Sequence, residues 1–281
     1  MDTLIGKSLQ GGKYTLDAEL GRGGFGITYR ATHHLLNRIV VIKTLSEEVY
    51  RDVNYPEHLR KFQDEARRLA LCVHPNIVRV SDFFIEDNRA YMVMDYIPGP
   101  TLDAMVFPNN PLPEAIALSY IRQIASALKV VHQNGLLHRD IKPQNIILRQ
   151  DSDQVVLIDF GIAREFTPGH TQTHTNLISS GYAPVEQYMA REKRTPATDV
   201  YGLAATLYSL LTAQVPVASI LRDRQSMPAP RDLRPDISPV VNQAVLRGMA
   251  LDLRYRPTSV DEWLSLLDGK QPSSPAPAPA S

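Results

Sequence analysis

The chain has 281 residues, 43% of them hydrophobic, with 30 basic residues against 30 acidic ones. That length supports one large domain or two lobes with a substantial core. The even charge balance excludes the sequence-independent affinity of a basic surface for polyanions, so no nucleic-acid partner is expected.

Residues 1–12 read as a lead-in without an apolar run long enough for a secretion signal. From Tyr14 to Lys43 the pattern is strand, glycine turn, strand, short turn, strand. The turn, Gly21-Arg22-Gly23-Gly24-Phe25-Gly26, has the G-x-G-x-x-G form. A dinucleotide loop of that form opens a helix, whereas Ile27-Thr28-Tyr29-Arg30-Ala31-Thr32 is β-rich without helical period. A strand–turn–strand flap of this kind can close over a triphosphate, because glycines let backbone N–H groups approach the oxygens. A structural glycine hairpin is the alternative.

Ile39 to Ile42 form an apolar strand that ends in a lone Lys43. From about Pro56 to Cys72, Leu59, Phe62, Ala66 and Leu69 make a helical stripe, and Glu65 lies beside that stripe. A lone strand Lys and a carboxylate near a core face suggest a Lys43–Glu65 ion pair. Cys72, the only cysteine, excludes a disulfide framework and a Cys-based zinc site, fits a reducing cytoplasm, and sits among apolar neighbours as an inert thiol. Two strands follow, Ile77–Ile85 and Ala90–Tyr96, around a Glu86-Asp87-Asn88-Arg89 turn. Pro98-Gly99-Pro100 then breaks regular structure, a natural hinge between a β-rich lobe and a helical one. Pro113 to Gln133 reads as an amphipathic helix with Ile116, Tyr120, Ile124 and Leu128 on one face.

The densest chemistry comes next, in His138-Arg139-Asp140-Ile141-Lys142-Pro143-Gln144-Asn145 and Asp159-Phe160-Gly161. Short runs, Ile146-Ile147-Leu148 and Val155-Val156-Leu157-Ile158, flank these groups as buried strands. Acid, amide and Lys at this spacing suit the holding of Mg²⁺ and a polyphosphate beside a hydroxyl to be deprotonated. Residues 161–186 form a long segment rich in Thr and Ser. Val200 to Leu221 carries no charge, long enough by count to span a bilayer. Its Gly202, Gln214, Pro216 and hydroxyl residues favour instead a buried helix broken near Thr212. After a Pro-rich connection, helices are expected near Val240–Met249 and Val260–Leu267. Residues 269–281 are a Pro/Ala/Ser linker or tail, which suggests further domains beyond it.

In order and spacing these motifs resemble a bacterial eukaryotic-like protein Ser/Thr kinase over about residues 13–268. The phrases Gly-Phe-Gly-Ile-Thr-Tyr and Gly-Tyr-Ala-Pro-Val-Glu-Gln-Tyr incline the resemblance towards a cyanobacterial-type member. The resemblance implies an α+β, two-lobed kinase-like fold. A small antiparallel β-sheet lobe with one regulatory helix would occupy about 13–96, and a larger, mainly helical lobe about 99–268. It implies ATP with Mg²⁺, or Mn²⁺ in its place, and protein substrates bearing Ser or Thr. Gly21, Gly23 and Gly26 match the glycine-rich loop, Lys43 the phosphate-binding lysine and Glu65 its helix partner. Thr28 and Val41 fall around the adenine, Met94 at the gatekeeper, and Asp95 and Ile97 in the hinge strand. Asp140 matches the catalytic base, Lys142 the cation for the γ-phosphate, and Asn145 and Asp159 the metal ligands.

By the same resemblance Arg139 binds an activation-loop phosphate, with autophosphorylation at Thr171, Thr173 or Thr175 and self-association in trans. Departures from the family pattern cluster near that loop. Ser179 stands where Thr is usual yet keeps a hydroxyl for Asp140 and Lys142. Pro184-Val185-Glu186 replaces Ala-Pro-Glu, and its Glu186 is expected to pair with Arg256. Ala204 replaces a usual glycine in the central helix that Asp199 opens. A small-molecule phosphotransferase of the same fold and an ATP-binding pseudokinase scaffold are the alternatives. The peptide-platform segment disfavours the first, and the intact Asp140, Asn145 and Asp159 disfavour the second.

Overall fold

The computed structural model describes residues 4–160, 181–189 and 192–270. They fall into two compact units that are not separated by one cut in the chain. The first holds residues 4–100, 130–136 and 147–160; the second holds 101–129, 137–146, 181–189 and 192–270.

The first unit is built on a six-stranded antiparallel sheet in the order β1-β2-β3-β4-β6-β5. The strands are β1 Ser8–Leu9, β2 Tyr14–Arg22, β3 Gly26–His33, β4 Arg38–Leu45, β5 Val80–Glu86 and β6 Arg89–Asp95. The period-2 alternation of β3 and β4 sends Ile27, Tyr29, Ala31, Val40 and Ile42 into a dry core with Tyr14, Leu16, Phe84, Tyr91 and Val93. Thr28, Val41 and Lys43 therefore occupy the opposite face, half-buried. Asp87 and Asn88 both take positive φ, 51° and 60°, in the tight β5–β6 hairpin. Helix α2 (Tyr55–Leu71) buries Phe62, Ala66 and Leu69, and Cys72 after it is buried, its thiol pushed upward by desolvation. A two-residue strand with a fully buried Leu9 adds β1 where the sequence suggested only a lead-in. The fifth strand begins at Val80 rather than Ile77, because Ile77 turns away to bridge Leu157 of β8 (Val155–Leu157). That strand pairs with β7 (Ile146–Leu148) in a separate two-stranded sheet.

A short helix, α1 (Glu47–Tyr50), escaped the sequence reading because four residues carry too little period to register. Its Glu47 is 2.5 Å from Arg89, which also stacks over Tyr50. The hydrogen bond from Arg89 holds the Glu47 carboxyl below its ordinary value. A free Glu titrates near about 4.3. The pair therefore contributes fully above that pH, and its contribution is lost as pH falls through the lower folded value. Urea midpoints measured between about pH 6 and 3 should fall less steeply in Glu47→Gln than in the parent.

The second unit is mainly helical: α3 (Leu102–Val106), α4 (Glu114–Gln133), α5 (Pro196–Thr212), α6 (Pro230–Leu233), α7 (Pro239–Gly248) and α8 (Val260–Leu267). The charge-free stretch is the buried helix α5, in which every residue from Ala197 to Thr212 is enclosed. It ends at Ala213 in the left-handed region, φ 52°, beside the expected break near Thr212. No described helix is long and apolar enough to cross a membrane. In α4 the buried face runs through Tyr120, Ile124 and Leu128 as expected, but it begins at Ala117 and Ile121, and Ile116 is exposed. One register step on a 3.6-residue period is enough to turn that side chain outward.

The Ala204 departure has its counterpart in α7. A Cβ on Gly248 would come 2.5 Å from Ala204 Cβ and 2.5 Å from the Trp263 indole nitrogen. Trp263 is fully buried and donates to Ala244 O at 2.9 Å, so it cannot yield cheaply. Gly248→Ala is expected to destabilise by about 1–3 kcal/mol despite the better helix propensity of Ala. Adding Ala204→Gly should recover part of the loss in urea titration, because the two substitutions share one contact.

Candidate functional site

In the first unit the glycine-rich turn links β2 to β3, and Gly23 N–H donates to Gly26 O at 2.9 Å. Gly26 is the position where packing demands glycine: a Cβ there would lie 2.9 Å from Thr44 O and 3.7 Å from Lys43 Cε. A Cβ on Gly21 would meet nothing, and on Gly23 only Gly26 O at 3.9 Å. Those two glycines therefore leave an exposed backbone rather than fill a packing need.

Thr28 pairs with Lys43 across β3 and β4, and Val41 pairs with Met94 across β4 and β6. The same register puts all four on the face opposite the dry core. Met94 and Ile97 are buried, while Asp95 N–H donates to Arg79 O at 3.0 Å, with its carboxylate 3.9 Å from Arg38.

The expected Lys43–Glu65 pair is corrected here. Among the described residues, the carboxylate within ion-pair distance of the Lys43 ammonium is that of Asp159. Lys43 is 13% exposed, and a cation so enclosed requires an anion, which Asp159 supplies at the end of β8. Glu65 lies half-buried on the flank of the α2 stripe. Asp159 itself adopts φ 55°, a left-handed conformation that a non-glycine residue holds only where its surroundings enforce it.

In the second unit the loop after α4 is fastened from below. The backbone N–H groups of His138 and Arg139 donate to the two carboxylate oxygens of Asp199, at 2.9 and 2.7 Å. Asp199 is 1% exposed in the first turn of α5, and the clamp holds Arg139 at φ 64°. Gly202, one helical turn later, lets Ile141 pass: a Cβ there would be 3.1 Å from Ile141 O. Sequence reading took Asp199 only as the opening of a helix. A carboxylate at the head of an otherwise charge-free buried stretch was the available signal, since a buried charge must be paired or hydrogen-bonded.

Above this clamp the polar side chains converge. Lys142 Nζ lies 2.9 Å from Asp140 Oδ2, with both side chains about one-sixth exposed. Asn145 Nδ2 donates to Asp140 O at 2.7 Å and to Asp140 Oδ2 at 3.0 Å. The short 3-10 turn Pro143–Asn145 makes this reach possible, and Gln144 Nε2 ties it to Asp103 of α3 at 2.6 Å. Burial raises the Asp103 carboxyl, and the charge of Lys142 partly offsets the rise. Asp140, Lys142 and Asn145 thus form one hydrogen-bonded cluster. Their oxygen donors and cations suit a hard divalent ion and phosphate.

Glu186 and Arg256, seventy residues apart, form a buried bidentate pair at 2.6 and 3.3 Å. Thr198 Oγ1 also donates to Glu186, and Arg256 donates to Ala250, Ala197 and Leu251 carbonyls. The pair anchors residues 181–189, where Ser219 Oγ donates to Ala183 O at 2.7 Å and Gln187 Nε2 donates to Arg139 O at 3.1 Å. Thr171, Thr173, Thr175 and Ser179 lie outside the described residues.

A family model described as the protein kinase domain matches residues 14–243. The chain belongs to the protein kinase family. Curated kinase relatives include the probable serine/threonine-protein kinase PknB of Lactococcus lactis, 33% identical, covering 90% of this chain and 41% of that one. Serine/threonine-protein kinase PrkC of Bacillus subtilis is 34% identical, covering 90% and 39%. This kinase-family chain thus spans about two-fifths of the length of these relatives. Among solved structures, the PpkA-294 apo form superposes with a TM-score of 0.75 at 30% identity, covering 95% of this chain and 99% of that one. A Rad53 complex with AMP-PNP superposes at 0.72 with 23% identity, a likeness of fold. The α+β kinase fold expected from the sequence is the fold found, an antiparallel sheet with α2 in one unit and a mainly helical second unit.

Proposed function

We propose that the chain is a protein serine/threonine kinase that transfers the γ-phosphate of ATP to Ser or Thr hydroxyls of protein substrates. The observation that carries this reading is the Asp140–Lys142–Asn145 cluster, intact and fixed through its backbone to a buried Asp199.

The donor set fits ATP with a divalent ion: Asp159 and Asn145 offer hard oxygen ligands for Mg²⁺, with Mn²⁺ as an alternative. When bound, the metal–nucleotide supplies the phosphoryl group and neutralises its developing charge. Asp140 orients the substrate hydroxyl and accepts its proton as the new oxygen–phosphorus bond forms. Lys142, already beside Asp140, adds positive charge where transferred oxygens would lie, and Asn145 keeps the Asp140 carboxylate aimed. Gly21, Gly23 and Gly26 would cover the phosphates, and Lys43, beside Asp159, would hold them. The adenine would be bounded by Thr28, Val41, Met94, Asp95 and Ile97.

Arg139 would receive a phosphate on Thr171, Thr173 or Thr175, added in trans by a second copy, and Ser179 would bond Asp140 and Lys142. A cytoplasmic site of action fits the single buried thiol.

The test is transfer from γ-labelled ATP to a generic basic protein, followed by phosphoamino-acid analysis. Label on Ser and Thr, lost in Lys43→Ala, is the expected result. Label that moves only to small hydroxylated acceptors would point to a small-molecule phosphotransferase, and bound nucleotide without transfer would point to a scaffold. Either outcome would overturn the reading.

A further inference from the structure

We infer that Ser46 is a positioning residue for ATP, a latch that sets the orientation of the glycine-rich loop from outside the nucleotide site. The inference rests on the kinase reading above.

Ser46 follows β4 and precedes α1, and is 5% exposed. Its hydroxyl donates to Gly24 O at 2.8 Å, and its N–H donates to Phe25 O at 2.8 Å. One residue therefore holds two consecutive carbonyls at the tip of the loop. In a trans peptide the N–H points opposite to the C=O. The same two bonds accordingly aim the Phe25 and Gly26 N–H groups away from Ser46. Peptide N–H groups of a glycine turn are the donors that such a loop offers to phosphate oxygens. Fixing them before the nucleotide arrives removes ordering entropy from binding.

The latch is itself braced. Ser46 Oγ caps α1, accepting from Val49 N–H at 3.4 Å, and Ser46 O accepts from Tyr50 N–H at 2.9 Å. Through Glu47–Arg89 and the Tyr55 hydroxyl on Asn88 O, α1 and α2 are tied to the β5–β6 hairpin. The Phe25 ring also meets the His58 ring of α2 edge-on, with centroids 6.3 Å apart. The loop is thus pinned at adjacent residues by Ser46, which leads from β4 into α1, and by His58 of α2.

Three substitutions separate the latch from the cap. Ser46→Thr keeps donor and acceptor, Ser46→Asp keeps the helix-capping acceptor but loses the donor to Gly24 O, and Ser46→Ala loses both. The expected result is an ATP KM raised about 3–10-fold in the Ala and Asp variants, with kcat within about twofold and Thr close to the parent. Titration with AMP-PNP and Mg²⁺ should show the same ordering in Kd. Amide hydrogen exchange at residues 23–26, measured without nucleotide, should quicken in Ala and Asp but not in Thr. If Asp matches the parent in exchange and Kd, the Gly24 bond positions nothing and the inference is overturned. A parent chain that binds AMP-PNP but transfers no phosphate would defeat the kinase reading while the exchange and Kd series still judges the latch. A parent that binds no nucleotide would overturn both.

Discussion

Asp140→Asn is expected to lower kcat for phosphoryl transfer by about 10²–10⁴-fold, the usual worth of a positioned general base. The substitution is nearly isosteric and removes only the charge and the proton-accepting oxygen. Asn145 can still donate to the remaining carbonyl of the new amide, and the backbone clamp from Asp199 to residues 138 and 139 is untouched. The melting temperature and the Kd for AMP-PNP should therefore stay near the parent values while turnover collapses. Lys142 would then sit beside a neutral amide instead of a carboxylate at 2.9 Å, so some loss of γ-phosphate positioning adds to the loss of the base. Single-turnover measurements with saturating ATP separate chemistry from binding. Undiminished transfer by Asp140→Asn would remove the role assigned to that residue.

The second large effect is on stability. Glu186 and Arg256 are 2% and 0% exposed, and among the described residues Arg256→Met leaves the buried Glu186 carboxylate with the Thr198 Oγ1 hydrogen bond alone. Breaking a buried pair from one side costs about 3–5 kcal/mol. Replacing both partners with apolar residues of similar volume removes the stranded charge and is expected to recover part of that loss. Recovery should be incomplete, because Arg256 also satisfies the carbonyls of Ala250, Ala197 and Leu251. Urea titration of Arg256→Met, Glu186→Leu and the double variant gives the cycle directly. An Arg256→Met variant that loses less than about 1 kcal/mol would overturn the large cost assigned to stranding Glu186.

The two effects fall on different links of the chain from sequence to function. In the proposed function Asp140 faces the reacting hydroxyl, so its loss is expected in kcat. The Glu186–Arg256 pair ties residues 181–189 to the buried interior of the second unit, so its loss is expected first in stability. Ser46 belongs to a third class, since its substitution should move KM with little change in kcat or in the core.

Much of the molecule was legible from local pattern. Strands β2, β3 and β4, helices α2 and α4, the buried α5 and the pair α7 and α8 each carry a period, a cap or a breaker that acts within a few residues. The polar cluster was legible because its groups are crowded: Asp140, Lys142 and Asn145 lie within six positions, and a single short turn suffices to bring them together. What escaped was either too short to show a period, as in β1, α1, α3 and α6, or settled by partners far along the chain.

The choice of Asp159 rather than Glu65 as the anion beside Lys43 is of the second kind. Both carboxylates carry the same charge, and only the fold decides which one lies within reach of the ammonium. Asp199 was read as a helix start; its hold on His138 and Arg139 spans some sixty residues and leaves no local trace. Ala204 looked like a lone departure until α7 placed Gly248 against it. The sequence by itself determined which chemical groups this protein carries and the local elements that present them, because propensity and periodicity are short-range. Only the tertiary structure decided which charge meets which, and which backbone carbonyls Ser46 holds, because burial and electrostatics act on distances in space rather than along the chain.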